Sequence, residues 1–272
     1  MRITRIAGAL GAEISGFDIG ERPDDASMAT VREAFLEHGV ILLRGQACSP
    51  DDQVAFARRF GDLIDYPFVE PLEGHPEIIP VIKLPEERAN FGGLWHTDTA
   101  YLQEPPMATM LLARELPPFG GDTIFACGCA AYEALSDGLK ETLGGLRCIN
   151  RSGGAVVTAT RAESRARSGT AAAEKEAMHP VIRMHPETGR KSLYVNPAHS
   201  ACFEGMTVAE SAPLLEWLFH HQIRPEFTCR IRWSIGDLAL WDNRRCLHNP
   251  VNDYHGHRRE MHRITIAGDK PR

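Results

Sequence analysis

The sequence predicts a mainly β protein with flanking helices, its strands arranged as a sandwich or barrel. Three observations carry this. Nine segments are short and apolar or alternating, only three stretches show helical spacing, and Gly, Pro, Asn and Asp punctuate the intervals. From the N-terminus, Ala26 to His38 places Val31, Ala34 and Phe35 on one helical face. The strand Val40–Arg44 follows. Ser49 as N-cap and Pro50 at the first helical position open a second helix, which runs to Phe60 and stops at Gly61. Strands are then expected at Ile78–Lys83, Ala108–Arg114, Thr123–Ala126, Val181–Met184 and Ser192–Val195. A third helix, from about Val208 to Gln222, carries Leu214, Leu215, Leu218 and Phe219. Strands Thr228–Trp233, Leu238–Trp241 and Met261–Ile266 complete the set. Arg161 to Ala177 is rich in Ala and charge and reads as an insertion or surface helix. A long connection of that kind is often a lid.

Composition narrows the function classes. The chain has 272 residues, 43% hydrophobic and 24% charged, as expected of one globular domain spanning 1–272. Its net charge is −6 and it has no Lys/Arg run, which argues against nucleic acid as a partner. Apolar runs such as Val40–Leu43 fall far short of the roughly 20 residues a membrane helix needs. The first residues, Met-Arg-Ile-Thr-Arg-Ile, have no signal-peptide apolar stretch, so a cytoplasmic protein is expected. Seven cysteines without a regular framework suggest reduced thiols.

One local motif points to chemistry. In the extended segment Trp95-His96-Thr97-Asp98, residues i and i+2 share a face, so an imidazole and a carboxylate are presented together. A third ligand from a distant strand would complete a 2-His-1-carboxylate set, which leaves three positions open on an octahedral ferrous ion. The triplet is cheap by itself. His75-Pro-Glu77 and His185-Pro-Glu187 match it too, although a central proline suggests turns there. A hydrogen-bonded His–Asp pair is the plain alternative. Further on, His248 follows a strand, and Arg259 and Arg263, four residues apart, would face the same side of the last strand. Two arginines aimed inward are costly without anions to meet them. The guanidinium fork also suits a carboxylate or sulfonate. Salt-bridged surface arginines remain the competing reading. Asp242-Asn243-Arg244 reads as turn chemistry. Thr99, which follows the triplet, and Asn196, His199 and Phe203, which follow a strand, are candidates for the substrate mouth. His255, His257 and His262 read as surface or supporting residues.

The chain resembles the taurine dioxygenase/TfdA family of Fe(II)- and 2-oxoglutarate-dependent oxygenases. The motifs run in order along nearly the whole chain: Gly11-Ala-Glu-Ile-Ser-Gly, His38-Gly-Val-Ile-Leu-Leu-Arg-Gly-Gln, Phe56-Ala-Arg-Arg-Phe-Gly, Trp95-His-Thr-Asp, Gly120-Gly-Asp-Thr, Ala131-Tyr-Glu-Ala-Leu and the block from Trp241 to Asp269. The resemblance implies a double-stranded β-helix (jelly-roll, cupin-like) core. It implies Fe(II) held by the catalytic set His96, Asp98 and His248, with 2-oxoglutarate and O₂ as cosubstrates. Thr123 and Arg259 match the pair that binds the distal carboxylate of 2-oxoglutarate. Arg263 matches the arginine that meets an anionic substrate. Tyr66 stands where the taurine enzyme has a sulfonate-binding histidine, which turns the expectation from taurine toward another sulfonate, carboxylate, aryloxyalkanoate or sulfate ester. Segments 64–94 and 151–178 are expected to shape the pocket as lids, and a homodimer or tetramer is expected. The alternative is a zinc hydrolase on the same His/Asp/His site, which leaves Arg259 and Thr123 without a role.

Overall fold

The computed structural model describes residues 1–64, 69–90, 92–153 and 174–272. The chain opens with the hairpin β1 (Arg2–Arg5) and β2 (Ala12–Ser15), then α1 (Asp25–His38), β3 (Val40–Leu43), α2 (Pro50–Arg58) and β4 (Ile79–Lys83). β5 (Ala108–Glu115) and β6 (Thr123–Cys127) lead into two short helices, α3 (Gly128–Glu133) and α4 (Asp137–Gly144). Next come β7 (Arg147–Arg151), β8 (Glu176–Pro180), β9 (Ile182–Met184), β10 (Lys191–Leu193), β11 (Ser200–Phe203) and α5 (Val208–Gln222). β12 (Thr228–Ile231), β13 (Leu238–Asp242), β14 (Cys246–Pro250) and β15 (Arg259–Ile266) close the fold.

The helices begin where local chemistry says they should. Asp24 caps α1 by accepting from the Ser27 amide, and Gly39, at φ 71°, ends it in the left-handed conformation. Ser49 and Asp52 form a capping box on α2, with Pro50 in the first turn, and Thr207 and Glu210 form another on α5.

Seven strands make the major sheet, in the order β1-β2-β3-β13-β5-β15-β4, and the minor sheet is β12-β6-β14. The two together are the jelly-roll core. Residue parity sorts the major sheet's side chains. Ile41, Leu43, Met110, Leu112, Leu238, Leu240, Ile264 and Ile266 pack against α1 and α2. Val40, Leu42, Leu111, Ala113, Ala239, Trp241 and Met261 face inward and meet Phe125, Cys127, Ile231 and Cys246 of the minor sheet. Arg259 and Arg263 share the parity of Met261, so β15 carries two cations into the space between the sheets. A third core lies under α3, α4 and α5, around Leu135, Leu143, Leu215 and Leu218.

The turn between β13 and β14 is pinned from several sides. Asp242 accepts from Arg244 through Nε and Nη2, each at 2.8 Å, and from His185 Nε2 at 2.8 Å. The backbone amides of Glu187 and Thr188 donate to His185 Nδ1, so the ring proton sits on Nε2. Glu187 joins Arg244 to Arg32 of α1. Arg245 donates to the Leu36 and Glu37 carbonyls and lies 3.6 Å from Cys127 Sγ. All seven cysteines are buried free thiols.

All nine expected strands are present, with bounds within two residues of those read from sequence, and the three helices match as closely. β1, β2, β7, β8, β11 and β14 were not foreseen. β1 is wholly exposed, and charged, polar or proline residues in β7 (RCINR), β8 (EAMHP) and β14 (CLHNP) leave no apolar run to read. The expected lid 64–94 contains β4, which pairs with β15 as a sheet strand. Residues 65–68 and 91 lie outside the described residues. In the second expected lid, Arg151 and Glu176 are paired ends of β7 and β8, and 154–173 lie outside the described residues, as does most of the Arg161–Ala177 insertion. Among the described residues no helix is long and apolar enough to cross a membrane.

Candidate active site

The site is built on one backbone pairing. The His96 amide donates to the His248 carbonyl at 3.0 Å, and the His248 amide returns the bond at 2.8 Å. Residues that exchange both bonds stand directly opposite and present side chains to the same face. The two rings lie 4.1 Å apart, centroid to centroid. Asp98, two residues beyond His96, joins that face. One ligand atom from each of the three residues lies within 4.8 Å of the others. His96 Nδ1 donates to the Leu94 carbonyl at 2.7 Å, leaving Nε2 directed toward Asp98 Oδ1 at 3.7 Å. This is the arrangement that fixes a ligating imidazole's tautomer. Gly92, at φ +71°, covers the ring so closely that a Cβ there would lie 3.0 Å from His96 Cε1. His248 is packed by Trp241 at 4.7 Å and Phe125 at 6.0 Å.

The protonation states suit a cation. Burial opposes ionisation of Asp98, but Arg263, 3.1 Å from Oδ1, together with His96 and His248, holds its carboxyl well below the usual carboxylate range. Burial, and then the neighbouring His96, hold the His248 imidazole well below its ordinary value, so it is neutral near pH 7. Metal ligation requires a neutral imidazole and an ionised carboxylate.

The same cavity reaches a second polar end. It is lined by Val81, His96, Asp98, Leu111, Thr123, Trp241, His248, Pro250, Arg259 and Arg263. Arg259 is 5% exposed. Among the described residues its Nε and Nη2 have no hydrogen-bond partner, and burial lowers its basicity. Gly121, at φ +70°, makes room for it: a Cβ there would stand 3.3 Å from Arg259 Cδ and Nε. Thr123 Oγ1 accepts from Trp233 Nε1 at 3.0 Å. Its own proton is therefore left to donate elsewhere. A buried guanidinium with two nitrogens unpartnered among the described residues and a hydroxyl with an uncommitted proton, lining one cavity, fit a carboxylate.

Other expected site residues fall in different places. Thr99 is buried with φ +43°, a left-handed conformation uncommon for a β-branched residue, and its hydroxyl has no partner among the described residues. His199 is buried, its ring edge-on to His96 at 6.4 Å, and its Nδ1 donates to the Arg151 carbonyl. Phe203 is not among the residues that line this cavity; it lies in the third core with Leu135, Leu215 and Leu218, where α5 packs on β11. Tyr66 lies outside the described residues. His255 is exposed and His257 partly so, and His262 pairs with Glu260 on the opposite face of β15. Sequence reading missed Gly92, Thr109, Trp233 and Asn243. Only the Trp241-Asp-Asn-Arg string offered a signal, and it reads locally as a turn.

A jelly roll whose cavity joins a His-Asp-His set to a buried arginine defines the class of mononuclear 2-His-1-carboxylate proteins. Within it, the chain belongs to the taurine catabolism dioxygenase TauD, TfdA family, which matches residues 2–265. It is 33% identical over 99% of its length to an alkylsulfatase of Acinetobacter baylyi, covering 86% of that protein. It is 33% identical over 98% of its length to an alpha-ketoglutarate-dependent sulfate ester dioxygenase of Pseudomonas putida, covering 89% of that protein. An alpha-ketoglutarate-dependent 2,4-dichlorophenoxyacetate dioxygenase of Cupriavidus pinatubonensis shares 33% identity over 95% of this chain and 94% of its own. A crystal structure of a taurine dioxygenase from Burkholderia xenovorans superposes with a TM-score of 0.83 at 33% identity, covering 99% of this chain and 92% of that one.

Proposed function

We propose that this protein is an Fe(II)- and 2-oxoglutarate-dependent dioxygenase in which His96, Asp98 and His248 hold the iron and Arg259 and Thr123 bind the distal carboxylate of 2-oxoglutarate. The carrying observation is that the His-Asp-His set and a buried arginine with idle donors line one cavity. Iron, when bound, supplies O₂ activation coupled to oxidative decarboxylation of 2-oxoglutarate to succinate and CO₂, and so the oxidising power for substrate hydroxylation. The residues do the positioning. Two neutral imidazoles and one carboxylate neutralise half the charge of a ferrous ion, leaving a site of net charge near +1 for a dianion. Arg259 and Thr123 select the five-carbon diacid, because a shorter keto acid would leave the buried guanidinium unmet. Val81, Leu111, Trp241 and Pro250 wall the cavity and limit water.

The primary substrate is a small organic anion. Arg263 lines the cavity, and the relatives above are named for sulfate esters and an aryloxyalkanoate. A sulfate ester, sulfonate or aryloxyalkanoate therefore fits this chain, and hydroxylation of a carbon bearing a heteroatom would let the product fragment. A zinc hydrolase would use the three ligands but give Arg259 and Thr123 nothing to bind. We further expect a dimer or tetramer, testable by sedimentation, in a cytoplasmic setting consistent with seven unpaired thiols.

The test is a panel of sulfonates, alkyl sulfates and aryloxyalkanoates incubated with Fe(II), 2-oxoglutarate and O₂. Succinate should form in step with loss of one class, and Asp98→Ala should abolish both tight metal binding and turnover. Substrate loss that persists without O₂ and 2-oxoglutarate would refute the proposal.

A further inference from the structure

Asp98 is gripped through both carboxylate oxygens. While Oδ1 meets Arg263, Oδ2 accepts from the Thr109 hydroxyl at 2.6 Å. Thr109 Oγ1 accepts from Asn243 Nδ2 at 2.9 Å, and Asn243 Oδ1 accepts from Trp241 Nε1 at 3.1 Å. The chain runs one way for chemical reasons. An indole N–H only donates, so it turns the amide oxygen of Asn243 toward itself and the amide NH₂ toward Thr109. A hydroxyl that accepts from that amide has a single proton to give, and an ionised carboxylate can only receive it. Thr109 and Asn243 are 0% exposed and Trp241 is 2% exposed, so water offers no substitute partner. Thr109 stands directly across the ladder from Trp241, and the Asn243 amide is tied to the Met107 carbonyl. The turn after β13 and the start of β5 thus converge on one carboxylate oxygen.

We propose that Trp241, Asn243 and Thr109 are positioning residues, a one-way donor chain that holds Asp98 Oδ2 and so presents Oδ1, which Arg263 approaches at 3.1 Å, as the metal-binding oxygen beside His96. The inference rests on the reading of His96, Asp98 and His248 as the metal set. Oδ1 is the oxygen 3.7 Å from His96 Nε2. A carboxylate bound through one oxygen leaves three of six octahedral positions open, whereas binding through both oxygens leaves two, too few for a chelating keto acid plus O₂. Trp241 also packs on the His248 ring, so one side chain constrains two of the three ligands.

The experiment measures Mn(II) affinity by EPR titration and the ligand-field absorption of the Co(II)-loaded protein. The variants are Thr109→Val, Thr109→Ser and Asn243→Asp, and thermal unfolding of the metal-free proteins reports folding separately. Thr109→Val keeps the shape but removes the proton, and Mn(II) affinity should fall by about 10–100-fold, with an altered Co(II) spectrum. Thr109→Ser should restore both. Asn243→Asp puts an acceptor where the donor was, so the Thr109 proton should turn away from Asp98 and affinity should fall even though the hydroxyl is present. A folded Thr109→Val protein with wild-type affinity and spectrum would overturn the proposal, as would a Thr109→Ser protein no better than Thr109→Val. If Thr109→Val does not fold, wild-type affinity in Asn243→Asp overturns it equally. Wild-type Mn(II) binding that Asp98→Ala abolishes secures the metal site independently, and a wild-type protein that binds no metal would sink both readings.

Discussion

Replacing Arg259 with Met should make the metal-free protein more stable and the enzyme worse. The side chain is 5% exposed, and two of its nitrogens have no partner among the described residues. A buried polar group left unsatisfied costs about 1–3 kcal/mol, and methionine of similar length removes that cost while keeping most of the volume. For a domain of this size about 1–3 kcal/mol corresponds to a rise in Tm of roughly 2–10 °C. The opposite effect should appear at the cosubstrate. Two charge-assisted hydrogen bonds of about 1.5–3 kcal/mol each would be lost, which weakens 2-oxoglutarate binding by roughly 10²–10⁴-fold. Calorimetric melting of the metal-free protein reads the first effect, and anaerobic titration of the iron-loaded protein with 2-oxoglutarate reads the second. The preference for 2-oxoglutarate over a shorter keto acid should also vanish. A variant that melts lower without metal yet binds 2-oxoglutarate as well as wild type would show that Arg259 is a structural residue, and the assignment of the anion end would fail.

Other expectations follow from the same geometry. Asp242→Asn leaves the buried Arg244 guanidinium with Glu187 as its remaining charge partner, so urea unfolding should report a loss toward or below the low end of the roughly 3–5 kcal/mol that breaking a buried pair costs. Burial opposes the Asp242 carboxylate, but Arg244 and His185 hold its folded value below the ordinary 3.8. Its contribution to stability is therefore complete above 3.8 and is lost as pH falls below that value. Wild type should lose stability on acidification through this window, and an equally steep loss in the variant would contradict the assignment. Trp233→Phe frees the Thr123 hydroxyl to turn, which should weaken 2-oxoglutarate binding by about 2–10-fold for one lost hydrogen bond, and unchanged binding would refute the orienting role. Gly121→Ala forces a left-handed alanine at a cost of about 1–2 kcal/mol and crowds Arg259, so urea midpoint and 2-oxoglutarate affinity should fall together.

Much of the architecture was legible because it is written in short-range periodicity. Short apolar or alternating runs located the central strands, and Ser49-Pro50 marked where the second helix starts. The four-residue separation of Arg259 and Arg263 follows from strand geometry on β15, which depends only on neighbours in the chain, whereas His96 sits in an isolated bridge and Asp98 in the turn after it. Those facts, with the ordered family motifs, were enough to name the metal set and the anion pair. What no local pattern encodes is which distant backbone groups meet. His96 and His248 share a face because an isolated bridge pairs residues 152 positions apart through two hydrogen bonds. Thr109 reads as an ordinary strand residue until Asn243 and Asp98 are brought to its hydroxyl. That Phe203 lies in the third core follows only from the packing of α5 on β11. Ligand identity follows from side-chain chemistry, but ligand orientation is fixed by partners that only long-range pairing brings within reach.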